Sequence, residues 1–164
     1  MKSETPTKSE MPLWLQLNKV SKKYMDALAV RLGHLGIRRH YFLLVAIGEG
    51  NGNKTQQELA DLLETDKVTM VGILDSLTTA GMIRRTESRS DRRKHLIVLT
   101  PKAQKALPEI KKVIAELNHR ALSVLPGNVS IRFSESLAAI KSELETAMAE
   151  SADLPEKSRR KRAV

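Results

Sequence analysis

The amino-acid sequence predicts a mainly α fold carrying one small β-hairpin. Three observations predict it. Apolar residues recur at spacings of three and four over most of the chain, the pattern of helices with one buried face. One stretch alone, residues 96–99, reads as a short apolar and β-branched strand. It follows a polar, turn-prone tip at 88–91, and the segment 84–100 around it holds six cations against two anions. A charged hairpin held on a buried strand is a device for reaching a polyanion.

With 164 residues, the chain holds one ordinary domain or two small lobes sharing a core. An apolar content of 41% is enough for that core. The five aromatic residues are Trp14, Tyr24, Tyr41, Phe42 and Phe133, so the core is expected to be mostly Leu, Ile, Val, Ala and Met. A net charge of +9 favours acidic partners, either nucleic acid or an anionic membrane surface. The absence of cysteine removes disulfides, thiolate metal sites and thiol redox switches. No apolar signal segment opens the chain, and no run of about 18 apolar residues occurs. The expectation is a soluble, cytoplasmic protein with no membrane partner.

Residues 1–10 are polar and lack periodicity, which suits a flexible arm. A helix begins at Leu13, with Leu17, Val20, Tyr24 and Leu28 on one face, and ends near Gly33 and Gly36. A second short helix is expected to bury Tyr41, Phe42, Leu44, Val45 and Ile47, before a Gly/Asn-rich loop at 49–53. Thr55 and Glu58 fit a capping box that opens a helix of about two turns. After an interruption at 64–66, Asp66 suits the cap of the next helix, which turns Met70, Ile73, Leu74 and Leu77 inward and stops at Gly81. Two short helices joined by a three-residue turn and followed by a hairpin make a winged helix-turn-helix.

Pro101 suits the first turn of a long helix. Ala103, Ala106, Leu107, Ile110, Val113, Ile114, Leu117, Ala121 and Val124 share one of its faces, and Pro108 is expected to bend it. After a break at 126–128, a last helix shows Ile131, Phe133, Leu137, Ile140, Leu144 and Met148. Residues 151–164 read as a disordered tail with five cations and two anions. Its basic run, Arg159 to Arg162, fits either nonspecific phosphate contacts or a solubilising end.

The ordered set of motifs resembles the MarR family of transcription regulators over most of the chain, from about Leu13 to Met148. The residues that carry the resemblance are Leu59 and Ala60, Asp66 to Met70, Ile73 to Leu77, Ala80 to Ile83, then Asp91, Arg92 and Arg93 ahead of Leu99, Thr100 and Pro101. The resemblance implies a winged helix-turn-helix lobe over 49–100. It also implies a helical dimerisation lobe, built from the first and linking helices (11–48) and the last two (101–150). As a homodimer the protein would then sit on a pseudo-palindromic operator in double-stranded DNA. The helix after Asp66 would enter the major groove, and the wing would follow the minor groove, with Arg93 inserted and Asp91 orienting it. Three departures from the family pattern stand out: Gly72 where Arg or Lys is frequent, Glu64 where a turn glycine is frequent, and Ala103 in place of a common glycine.

Chemistry assigns roles to the candidate DNA contacts. Arg89, Arg93 and Arg92 suit a narrow minor groove, with Lys94 nearer the hairpin stem. Lys67 suits a phosphate and Val68 a thymine methyl. Thr69 fits either a base or phosphate contact or the helix cap. Val71 and Ser76 complete the exposed or half-exposed set, and Thr55 and Gln56 open a helix end suited to phosphate. The family's small aromatic or phenolic effectors point to Trp14, Tyr24, His34, Arg38, His40 and Tyr41 at the junction of the lobes. Core or dimer packing is the rival role for Trp14, Tyr24 and Tyr41.

No nucleophile and base stand in a plausible order. Asp75 suits an ion pair with an arginine, and the four histidines are too scattered for a metal site. The expectation is therefore a regulator, most often a repressor in such a family, with no enzymatic activity, cofactor or metal. The alternative is an architectural nucleic-acid binder without sequence preference or effector.

Overall fold

The computed structural model describes residues 11–37, 39–50, 54–87 and 94–152. Six α-helices and three short strands succeed one another: α1 (Leu13–Leu32), α2 (Tyr41–Glu49), β1 (Lys54–Thr55), α3 (Gln56–Leu62), α4 (Lys67–Thr79), β2 (Ile83–Glu87), β3 (His95–Leu99), α5 (Pro101–Leu122) and α6 (Gly127–Ala152). They fall into two compact units, Met1–Asn118 and His119–Val164. No helix among the described residues is long and apolar enough to cross a membrane.

The core of the first unit gathers Leu32, Ile37, Leu44, Ile47, Leu59, Met70, Leu74, Leu77, Met82 and Ile97, each under 2% exposed. α2 lies across its centre and buries Tyr41, Leu43, Leu44, Ala46 and Ile47. Phe42 does not join them and is 54% exposed. A nine-residue helix covered on most sides keeps one outward direction, and Phe42 and Glu49, seven residues apart, take it. Leu43 fills the inward place that the sequence pattern gave to Phe42. At Gly48 an added Cβ would stand 2.6 Å from Leu107 Cδ2, so α2 and α5 meet there with no spare room.

Both halves of the capping box form at α3. Thr55 Oγ1 accepts from the Glu58 amide, and the Thr55 amide donates to the Glu58 carboxylate. The turn into α4 passes through Glu64 at φ +48°, a left-handed conformation that is costly for a side-chain-bearing residue. Asp66 then caps α4 by accepting from the amides of Val68 and Thr69. At the other end, Gly81 (φ +69°) donates to Thr78 O, and Met82 donates to Leu77 O. That pair of bonds is a Schellman stop, and glycine meets its left-handed requirement without strain.

The sheet is antiparallel with order β1-β3-β2. Its third strand has no signature in the sequence, because two residues are too few to show alternation. β1 places Lys54 opposite Ile97 and Thr55 opposite Leu96. The middle strand thus seats its buried Ile97 over the core and leaves the wing anchored on both sides.

Thr100 opens α5: its Oγ1 accepts from the Ala103 amide and donates to Gly81 O. Pro101 occupies the first helical position, where no amide hydrogen is needed. Ala103, Ala106, Ile110 and Val113 face inward, and the helix runs on through Pro108 as a single element. Its covered face ends earlier than the apolar pattern. Ala121 is exposed, and Val124 lies past the helix end and is 80% exposed. α6 extends through Ser151 and Ala152, two residues into the segment expected to be disordered, and none of its residues 127–151 is buried.

Candidate nucleic-acid interface

Burial of Met70, Leu74 and Leu77 fixes the rotation of α4 and decides what it shows to solvent. Val68, Gly72, Asp75 and Thr79, at steps of four, three and four, form one fully exposed face. Lys67 and Val71 turn instead toward an open groove of about 1200 Å³ between α3, α4 and the wing. Thr55, Gln56, Gln57 and Glu58 line it from the α3 side, and Arg85, Thr86, Glu87, Lys94, His95 and Ile97 from the sheet. Ser76 is half-buried and does not line this groove.

Several of these groups already have partners. Thr69 donates its hydroxyl to Asp66 Oδ2 at 2.5 Å, so the capping role has its geometry while the residue stays exposed. That bond, with the amides of Thr69 and Val68, holds the Asp66 carboxyl below the usual carboxylate range. The Thr55 amide and hydroxyl do the same for Glu58, assisted by Lys54 and Lys94. The start of α3 therefore already carries an anion, and a phosphate near Thr55 and Gln56 would have to share the space with Glu58. Asp75 accepts from Arg85 Nη2 at 3.0 Å, the ion pair expected for it, and this tie fastens the wing to α4. Arg89, Asp91, Arg92 and Arg93 lie outside the described residues.

Residues 37–94, from just before α2 to just before β3, match the model of the MarR family. The fold agrees with solved structures along nearly their whole length. A MarR protein from Peptoclostridium difficile DA00132 superimposes with a TM-score of 0.77 at 16% identity, over 92% of this chain and 99% of that one. A probable transcriptional regulator from Pseudomonas aeruginosa gives 0.71 at 25% identity, covering 81% and 99%. CouR from Rhodococcus jostii RHA1, solved bound to p-coumaroyl-CoA, gives 0.70 at 25% identity, covering 82% and 95%. Residues 37–94 thus form a MarR-family segment, and the chain shares the fold of MarR-family structures. The similarity is to winged-helix, DNA-binding transcription regulators.

Among the described residues, those considered for an effector do not gather at one spot within the chain. Trp14, 65% exposed, sits 18 residues from Leu32 along α1, about 27 Å at the helical rise. His34 lies just past that far end, exposed, with Nε2 3.4 Å from Glu109 Oε1. Tyr24, midway, is half-buried and donates its hydroxyl to Asn118 Oδ1 at 2.7 Å. Burial pushes its phenol pKa up. Tyr41 is 1% exposed and packs in the core, the rival role given to it. His40 is half-buried at the start of α2, and Arg38 lies outside the described residues.

Sequence reasoning missed Arg85, Gln57, Thr86 and His95 as groove residues. The signal for Arg85 was present, since it stands in the basic run and ten residues beyond Asp75. Its inward tilt, however, follows from the β2–β3 register, which pairs Arg85 with Ile97.

Proposed function

We propose that this chain is a MarR-family regulator that acts as a cytoplasmic homodimer, binds a pseudo-palindromic operator and represses transcription until a small aromatic or phenolic acid lowers its DNA affinity. One observation carries the dimer. α6 runs for 26 residues and none of 127–151 is buried, although Phe133, Leu137, Ile140, Leu144 and Met148 repeat at helical spacing along it. Such a stripe is what a helix keeps for a partner surface. α1 adds Leu13, Trp14 and Leu17, also exposed. In this reading 11–48 and 101–150 make the dimerisation lobe, and 49–100 the DNA-binding lobe.

Two reading helices about one DNA turn apart, roughly 34–36 Å, would enter successive major grooves. Lys67, Val68, Thr69, Val71 and Ser76 serve the major groove and its phosphates, with Thr55 and Gln56 beside them. Arg89, Arg92, Arg93 and Lys94 serve the wing side, with Asp91 orienting Arg93. The effector acts by favouring a different spacing, which shifts the population away from the DNA-competent form. CouR's bound p-coumaroyl-CoA supports an aromatic ligand class. Trp14, Tyr24, His34, Arg38, His40 and Tyr41 are the residues assigned to it, and no enzymatic step is assigned to the chain.

Sedimentation at micromolar concentration is expected to give a dimer, and competition binding is expected to favour a selected duplex over random duplex and RNA. A folded monomer would overturn the dimer, and release of DNA by no aromatic acid would overturn the effector. A second reading, a nucleic-acid binder indifferent to sequence, is favoured by where the charge lies: residues 49–100 are electrically neutral, and the +9 resides in the rest of the chain. Equal affinity for random and selected duplexes, with steep salt dependence, would establish it.

A further inference from the structure

The geometry points to Val68 and Gly72 as a methyl-reading surface that sits on the floor of the major groove and receives the C5-methyl of a thymine. This deepens the proposed sequence-specific reading and rests on it. Val68 lies in the first turn of α4, the part of a reading helix that meets base edges, and is 82% exposed. Gly72 follows one turn later on the same face.

Among the described residues nothing accounts for that glycine. Its backbone is not in the left-handed region, and an added Cβ would meet nothing within 4 Å. Glycine within a helix destabilises it relative to alanine, so an unstrained, unpacked glycine is retained at a cost to the fold. A missing side chain is of use where a helix backbone must come close to another molecule, and on this face that molecule is DNA.

The chemistry of the helix narrows what is read. α4 carries one cation, Lys67, which faces the groove beside the wing. Asp75 is engaged with Arg85, and the Thr69 hydroxyl with Asp66. The outer face therefore lacks the arginine or lysine fork that recognises guanine and offers an apolar knob beside a bare backbone. Of the groups on the major-groove edge, the thymine methyl is the apolar one.

The test starts from the duplex that the full-length protein selects from a random library, with affinity read by fluorescence anisotropy at fixed salt. Thymines are then replaced one at a time by deoxyuridine, which removes only the methyl. At one or two positions per half-site the wild-type affinity should fall about fourfold, the equivalent of one buried methyl. Val68→Ala should bind the thymine and uracil duplexes equally. Gly72→Ala should melt at a higher temperature yet bind the selected duplex more weakly. Indifference to uracil at every position, an undiminished methyl effect in Val68→Ala, or full affinity in Gly72→Ala would each overturn the inference while leaving the regulator reading intact. Failure to select any duplex would overturn both.

Discussion

Residues 54–83, which hold α3, the turn and α4, contain two lysines against five acids, whereas residues 84–94 of the wing contain six cations against two acids. Adjacent in the chain and facing one groove, the two regions treat charge in opposite ways. The helix pair spends its acids on itself: Glu58 and Asp66 cap α3 and α4, Asp61 accepts from Gln57, and Asp75 holds Arg85. What remains outward on α4 is close to uncharged. The wing keeps its cations in excess. On the proposed function, affinity for a polyanion and discrimination among sequences fall to different elements, one acting through charge and the other through shape.

Four perturbations sharpen this division. The largest effect belongs to the anchor of the reading helix. Leu74 is 0% exposed, and Leu74→Ala should cost about 2–5 kcal/mol in urea unfolding, with DNA binding lost along with the fold. Next comes Arg93→Ala, which should weaken binding on the order of tenfold and flatten the salt dependence by about one unit of slope. Its melting temperature should not move, and a drop in melting with no change in affinity would reverse the roles assigned to the two regions.

Acid should act on the helices before the wing. Glu58 and Asp66 titrate lower in the folded protein than in the unfolded chain, so their stabilisation is complete above the free carboxyl range near about pH 4. It disappears as pH falls through the lowered folded values. Thermal midpoints followed from pH 7 to pH 3 should show this decline, and Asp66→Ala should remove part of it. The smallest effect is the tie between the regions. A double-mutant cycle on Asp75 and Arg85 should give a coupling below about 1 kcal/mol, because both side chains are about half-exposed. A larger coupling would mean that the wing is held by α4 rather than by β3.

Local chemistry made most of the fold legible. The Thr55–Glu58 box, the Asp66 cap, the Gly81 stop and Pro101 each mark a boundary by a bond made within a few residues, and each stands where the sequence put it. Features set by long-range pairing were not legible. β1 exists only because Lys54 and Thr55 meet Ile97 and Leu96, some forty residues away. Phe42 and Leu43 exchange places because burial of α2 depends on what surrounds it. The same holds for the site. Exposure of Val68 and Lys67 follows from the helix period, but the groove under Arg85 and His95 needs the sheet register. Trp14 and His34 look like neighbours in function and stand at opposite ends of α1.

The bonds around Thr100 have a mechanical consequence. Its amide donates to Met82 O, its hydroxyl to Gly81 O, and Lys102 Nζ to Ala80 O. Three carbonyls at the exit of α4 are thereby pinned to the entrance of α5. Three hydrogen bonds tie the joint, and α5 is about 33 Å long. Through these bonds a tilt of the first turns of α5 would alter the angle at which α4 is presented.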